Sequence, residues 1–325
     1  TIGDYAFYGA TKLVDITIPD SVKTIGTGAF RDCWKMTKAT LPAGLETIPQ
    51  ECFSVCKKLE SVNIPDSVTK ISYGAFSSCA LKEINISKNL TEISIPGYTF
   101  SGCPAAVTVD AANPNYSADE RGVLYNKDKS LLLHCPNFEK AFTFDINCNI
   151  DQYAFYNCAN LTDVTFSYAI KKIPSAAFRN CGSLKITTVP DTVRMIDSYA
   201  FNGCGMTEFY LPDSVEYVGS GAFSSTPLTH FEFNDKVDTF KDIFSICPKL
   251  RTVVVGKGIK KIEIGALGGT NKIDTIYYRG TKSDWDKINV VDVASALKNI
   301  KIVYNYGQTS GVCGDNLTWS FQPDL

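Results

Sequence analysis

Phenylalanine recurs in this chain at a fixed interval: Phe7, Phe30, Phe53 and Phe76 stand 23 residues apart. The spacing resumes at Phe155, Phe178 and Phe201, shortens slightly to Phe223 and Phe244, and reaches Leu267 in the same place. Phe100 fits with a one-residue insertion. Around these positions recur an apolar residue five before, a small one just before and a cysteine three after. Self-similarity on this scale predicts a stack of units, none of which buries its apolar face alone. It outweighs length, since 325 residues would otherwise suggest two globular domains. Two domains with a chance periodicity do not explain phenylalanine and cysteine in one register.

The third repeat shows the unit well. Cys56 is followed by Leu59, Val62, Ile64, Pro65, Val68, Ile71, Ala75 and Phe76. Val62 and Ile64 alternate with Ser61 and Asn63, which predicts a short strand with one face buried. Pro65 ends it, because proline donates no ladder hydrogen bond. Val68 and Ile71 turn inward again, and Tyr73–Phe76 reads as a short helical or 3₁₀ segment on the far side. Ile16, Ile18, Val62, Ile64, Val164 and Val215 are accordingly expected to be buried on strands of one parallel sheet.

The run Leu59, Val62, Ile64-Pro65, Val68, Ile71, Ala75-Phe76, Cys79 resembles the BspA-like subclass of bacterial leucine-rich repeats. The resemblance extends from Thr1 to about Tyr306, with one-residue deletions after Cys79 and Cys204. It implies an α/β fold: a right-handed leucine-rich-repeat solenoid of about eleven repeats, with a parallel concave sheet and short helical segments on the convex side. The segment Asn113–His134 resembles the β-hairpin insertion of such proteins, spanning about 110–137. Gly122–Tyr125 and Ser130–His134 are apolar runs around a polar turn, which supports a hairpin. Residues 277–306 resemble the closing cap of these arrays, with Ser283 and Asp286 as a capping box and Trp285, Ile288, Leu297 and Ile300 covering the last repeat. The tail, 307–325, drops the period and reads as the start of a following module. The chain also opens in mid-repeat, which is the pattern expected of a piece of a longer protein.

Function classes narrow by composition. Net charge is −2 and the basic residues are spread along the chain, which argues against nucleic acid. No apolar run approaches the ~20 residues needed to span a bilayer. Of twelve cysteines, Cys33, Cys56, Cys79, Cys103, Cys158, Cys181, Cys204 and Cys247 share one repeat position. No zinc-finger spacing is present, and bridges between neighbouring rungs would be strained, so the column reads as buried thiols acting as small hydrophobes. Cys313, outside the array, is expected to be exposed. Only His134 and His230 could serve a nucleophile, and His134 beside Cys135 would point to the opposite face of a strand. Asn113–Asp119 lacks EF-hand spacing and reads as a solvated loop. No enzyme, metal or cofactor is expected.

What remains is the outward face of the sheet. Between the inward positions stand Thr17, Thr40, Asn63, Asn85 and Thr108, then Thr165, Thr188, Tyr210, Glu232, Val254 and Tyr277. The later residues are larger, and exposed Tyr and Arg on rigid strands favour binding. The candidate ligand-binding residues are therefore Tyr210, His230, Glu232, Arg251 and Tyr277. Thr and Tyr also occur there simply as good strand formers. The resemblance implies a non-enzymatic binding or adhesion module of a secreted or cell-surface protein. Its partners would be host extracellular or other cell-surface proteins; the alternative is a passive spacer.

Overall fold

The computed structural model describes the chain except residues 138–139, 167–168, 264, 267–272, 292–296, 298–299, 308–309, 314–316 and 321–325. Leu267 and the side chain of Cys313 thus lie outside the described residues. The chain is a mostly parallel β-solenoid of about twelve turns, close to the eleven repeats expected. It divides into two compact units, Thr1–Leu184 and Lys185–Leu325.

In the first unit, Asp15–Thr17, Lys38–Thr40 and Ser61–Asn63 pair in parallel with Ile16, Ala39 and Val62 in register. Glu83–Ile86 pairs with Ala106–Val109, and Ala141–Thr143 with Asp163–Thr165. A second parallel row, absent from the sequence reading, joins Thr47–Ile48, Lys70–Ile71 and Glu92–Ile93. The second unit repeats this plan. A five-stranded parallel sheet is built from Glu208–Tyr210, His230–Glu232, Thr252–Val255, Thr275–Tyr278 and Lys301–Val303. Beside it run Met195–Ile196 with Tyr217–Val218, and Thr239–Phe240, Lys261–Ile262 and Asn289–Val290. Most turns therefore feed two rows, and the expectation of one sheet is corrected. Ile18, Val164 and Val215 are buried, whereas Ile16, Val62 and Ile64 are half-buried against the core. Val215 is not on a strand. Its N–H closes a turn onto the Pro212 carbonyl, as Val68 does onto Pro65, and the turn carries the valine inward.

Among the described residues the far side of the repeats is made of turns, apart from the four-residue helix Pro96–Thr99 in the repeat that carries the insertion. The reason is backbone geometry. Phe7 lies between Tyr5 and Gly9 at positive φ, and Phe53 between Glu51 and Val55. Phe155 lies likewise between Tyr153 and Asn157. Alternating left-handed residues cannot propagate an α-helix. They instead aim alternate N–H groups at the next turn: Phe7 donates to Ala29 at 2.8 Å, Phe30 to Cys52 at 2.9 Å and Phe53 to Ala75 at 2.8 Å. The rings follow the backbone. Phe7, Phe30, Phe53, Phe76 and Phe100 stack with successive centroids 5.1, 5.4, 5.7 and 6.1 Å apart.

The cysteine column is reduced and buried, but the thiols are more than small hydrophobes. Cys56 donates to the Phe30 carbonyl one turn back at 3.1 Å, Cys79 to Phe53 at 3.1 Å and Cys181 to Phe155 at 3.0 Å. Where Thr226 takes the place of the thiol, its hydroxyl donates to the Phe223 carbonyl at 2.7 Å. Burial pushes the Cys103 thiol up to about 12, so it stays protonated at neutral pH.

The insertion is larger than a hairpin. Tyr116–Ala118, Leu124–Asn126 and Leu131–His134 form an antiparallel meander, and the last of these pairs in parallel with Asn149–Ile150. The loop ahead of it is not simply solvated. Asn113 is fully buried, its amide donating to Ser87 and Leu90 carbonyls at 2.7 and 2.8 Å while its oxygen accepts from Asn115 and Tyr116 N–H. Near the C-terminus the capping box is Thr281 with Asp284, two residues earlier than Ser283 with Asp286. It starts the helix Lys282–Trp285, whose Trp285 packs edge-on to Tyr278 at 5.2 Å. Residues Ser310–Cys313 and Leu317–Ser320 form an antiparallel pair.

Phe76 has a stacked ring on both sides, so Phe76→Ala leaves a cavity its neighbours cannot fill. A loss of about 3–5 kcal/mol of unfolding free energy is expected, measured by denaturant titration. An unchanged midpoint would contradict the stacking account.

Candidate functional site

The five-stranded sheet of the second unit decides where the candidate residues stand. Its register sets Glu208 beside His230, Thr252, Thr275 and Lys301, and Tyr210 beside Glu232, Val254, Tyr277 and Val303. The alternate residues Phe209, Phe231, Val253 and Ile276 are wholly buried, so the two ladders form the outward face. Tyr210 is 39% exposed, and its hydroxyl donates to Glu208 Oε2 at 3.2 Å. Its ring lies 5.4 Å from the His230 imidazole, whose Nε2 is 3.7 Å from Glu232 Oε2. Glu232 also pairs with Arg279, which lies 3.7 Å from Asp235. His230 and Arg279 hold the Glu232 carboxyl below its ordinary range, against the opposing effect of burial. Tyr277 packs on Tyr306 at 4.8 Å.

The structure thus brings together Tyr210, His230 and Glu232, with Tyr277 in the Tyr210–Glu232 ladder one rung beyond Val254. It does not add Arg251. That guanidinium turns back to the Pro248 and Leu250 carbonyls, at 3.5 and 3.4 Å. Arg279 was missed by the sequence reading, although period two places it on the face of Tyr277. Val254, expected to point outward, is fully buried between Glu232 and Tyr277 in the ladder. The arrangement offers aromatic edges and neutralised charge to a partner; it contains no nucleophile paired with a free base. Among the described residues no group of three or more His, Cys, Asp or Glu could hold a metal ion.

His134 and Cys135 are both buried. Neither ring nitrogen of His134 has a hydrogen-bond partner among the described residues, and the ring lies 5.7 Å from that of Phe100. Burial pushes its pKa down to about 3. A histidine enclosed in this way cannot reach a substrate at the surface.

The model for the BspA type leucine-rich repeat region matches residues 1–106 and 148–274, in six copies. The chain belongs to this family. The unmatched interval contains the meander. Among solved structures, the BspA-type chain resembles the pneumococcal vaccine antigen PcpA at TM-score 0.67 and 20% identity, over 89% of this chain and 78% of that one. A leucine-rich repeat protein of Eubacterium ventriosum matches at TM-score 0.57 and 21% identity, over 94% and 87%. A leucine-rich cell surface protein of Faecalibacterium prausnitzii matches at 0.52 and 22%, over 88% and 85%. At such identities these likenesses establish the fold. No curated protein matches the chain. No helix among the described residues is long and apolar enough to cross a membrane.

The buried histidine makes stability depend on pH. Its folded pKa lies below the unfolded value of 6.5, so the unfolded chain binds the extra proton and stability falls as pH drops below 6.5. Between pH 7 and 5 this single group accounts for about 2 kcal/mol. Denaturant titrations of the parent and His134→Leu at both pH values should show a smaller acid loss in the variant. Equal losses would mean that His134 is not held neutral.

Proposed function

We propose that this BspA-type chain is a non-enzymatic binding module of a secreted or cell-surface bacterial protein, and that it takes a protein ligand on the outward face of the 208–303 sheet. The observation that carries this reading is the half-exposed cluster of Tyr210, His230 and Glu232 on rigid strands, joined by Arg279 just past the end of its strand, with Tyr277 beside it. Tyrosine supplies contact area with little side-chain entropy to lose, and arginine supplies directed donors. Arg279, rather than Arg251, is the cationic member of this surface. The strands hold the cluster in place before any partner arrives, which lowers the ordering cost of association. The name of the Faecalibacterium neighbour, a cell surface protein, agrees with a surface location.

The test begins with capture of extracellular host proteins on the intact chain, followed by titration of a purified partner. Tyr210→Ala with Tyr277→Ala should weaken binding by about 2 kcal/mol or more, while Thr17→Ala with Asn63→Ala leaves it unchanged. Equal affinities for parent and tyrosine variant would remove this face. If no partner is captured, the passive-spacer reading replaces it.

A further inference from the structure

A second site lies away from that face, at the edge where the turn after Thr252–Val255 meets the helix Lys282–Trp285. Here a cleft of 370 Å³ is lined by Lys257, Ile259, Lys260, Tyr278, Asp284, Lys287 and Ile288. Its wall is firmly built. A side chain at Gly256 or Gly258 would run into the Asn234 or Asp235 carbonyl at 1.9 or 2.1 Å, so the strand-end loop lies directly on the turn beneath. The Lys257 N–H donates to Asp235 Oδ1 at 2.9 Å, the Lys260 N–H to the Asp238 carbonyl at 2.7 Å, and the Lys260 carbonyl accepts from Asn289 N–H at 2.9 Å.

Two features of this cleft point to a ligand. Lys257 and Lys260 are exposed on its rim and make no ion pair with any described residue, while Lys287 is 3.6 Å from Asp284. The Asp284 carboxylate is already engaged by Lys287 and by the Thr281 N–H and hydroxyl, which leaves two uncompensated ammonium groups. Independently, Tyr278 is only 1% exposed and lines the cleft, yet its hydroxyl has no hydrogen-bond partner among the described residues. The hydroxyl keeps contact with solvent and is free to donate to a group that enters the cleft. Its pKa is raised, by burial first and then by Asp284 and Asp235, so the phenol remains a proton donor.

We propose that this cleft is an oxyanion site. Tyr278 donates to a phosphate or sulfate group, Lys257 and Lys260 supply its counter-charge, and Ile259 and Ile288 contact whatever carries it. The shared chemistry is a tetrahedral oxyanion, whether free or as a monoester on a sugar. Lysine suits a tetrahedral anion because its ammonium is a compact charge with rotatable donors, with no planar geometry to match.

The test is calorimetric titration of the full chain with inorganic phosphate, inorganic sulfate, glucose 6-phosphate, N-acetylglucosamine 6-sulfate and unmodified N-acetylglucosamine. Tyr278→Phe keeps the packing on Trp285 and should weaken anion binding about tenfold, the loss of one hydrogen bond to a charged group. Lys257→Gln with Lys260→Gln should abolish it, and binding to the parent should weaken as salt rises. Lys57→Gln with Lys58→Gln is the control and should bind as the parent does. Tighter binding of the esters than of the inorganic ions assigns the site to a modified sugar, and equal binding assigns it to the free ion. Absence of binding by every anion overturns the proposal, as does an equal loss in the control or unchanged affinity in Tyr278→Phe.

Discussion

The array depends on one contact, the meeting of each phenylalanine segment with the segment of the next turn. Holding it has a cost. Two left-handed residues flank most of the phenylalanines, and a residue other than glycine loses about 1–2 kcal/mol in that conformation. Burying a phenylalanine returns about 3 kcal/mol, and a stacked ring adds about 1 kcal/mol. Each inter-turn hydrogen bond contributes about 1 kcal/mol more. The balance is favourable only where a neighbouring turn is present, which is why the unit exists as a stack. Most of the thiols belong to the same contact, since Cys56 and Cys79 reach a phenylalanine carbonyl of the adjacent turn, while Cys158 reaches the Cys135 carbonyl. Cysteine recurs there because the position demands a small, mostly apolar side chain that still donates a hydrogen bond.

The same contact couples positions one repeat apart in the sequence. The Tyr5 ring lies over Gly28, and the Tyr199 ring over Gly221; a Cβ at either glycine would sit 2.5 Å from the tyrosine ring. At these two pairs the tyrosine of one turn leaves room only for glycine at the equivalent position of the next, whereas Tyr153 is followed there by Ala176. Both glycines also have positive φ, so one residue type answers a steric and a conformational demand together.

Much of this was legible in the chain. The interval between phenylalanines set the repeat, Val62 and Ile64 marked a strand, and Pro65 marked its end. The second strand row was not legible, because Lys70–Ile71 and Thr47–Ile48 are two residues long and carry no alternation to read. The far-side turns were mistaken for helical segments for a related reason. Left-handed conformations at Glu51, Val55 and Ala176 leave no mark in composition, since these residues rarely adopt them and are held there by the neighbouring turn. Asn113 was read as solvated for want of a local signal. Its four hydrogen-bonding partners include two carbonyls more than twenty residues earlier.

The candidate surface was half legible, and the division follows from geometry. Strand periodicity correctly placed Tyr210, Glu232 and Tyr277 on one face, because register carries equivalent positions into alignment. It could not tell that Arg251 folds back on its own backbone, or that Arg279 reaches across to Glu232, 47 residues earlier. Direction along a face is a property of rotamers and neighbours, not of period. The buried phenol of Tyr278 makes the same point from the inward side, since its position predicts burial and says nothing about its hydroxyl. In such an array the inward positions are constrained by the turns above and below them, while the side chains of Tyr210 and Lys257 are exposed. Side chains at Tyr210, Arg279 or Lys257 can therefore vary without disturbing the phenylalanine contact that holds the turns together.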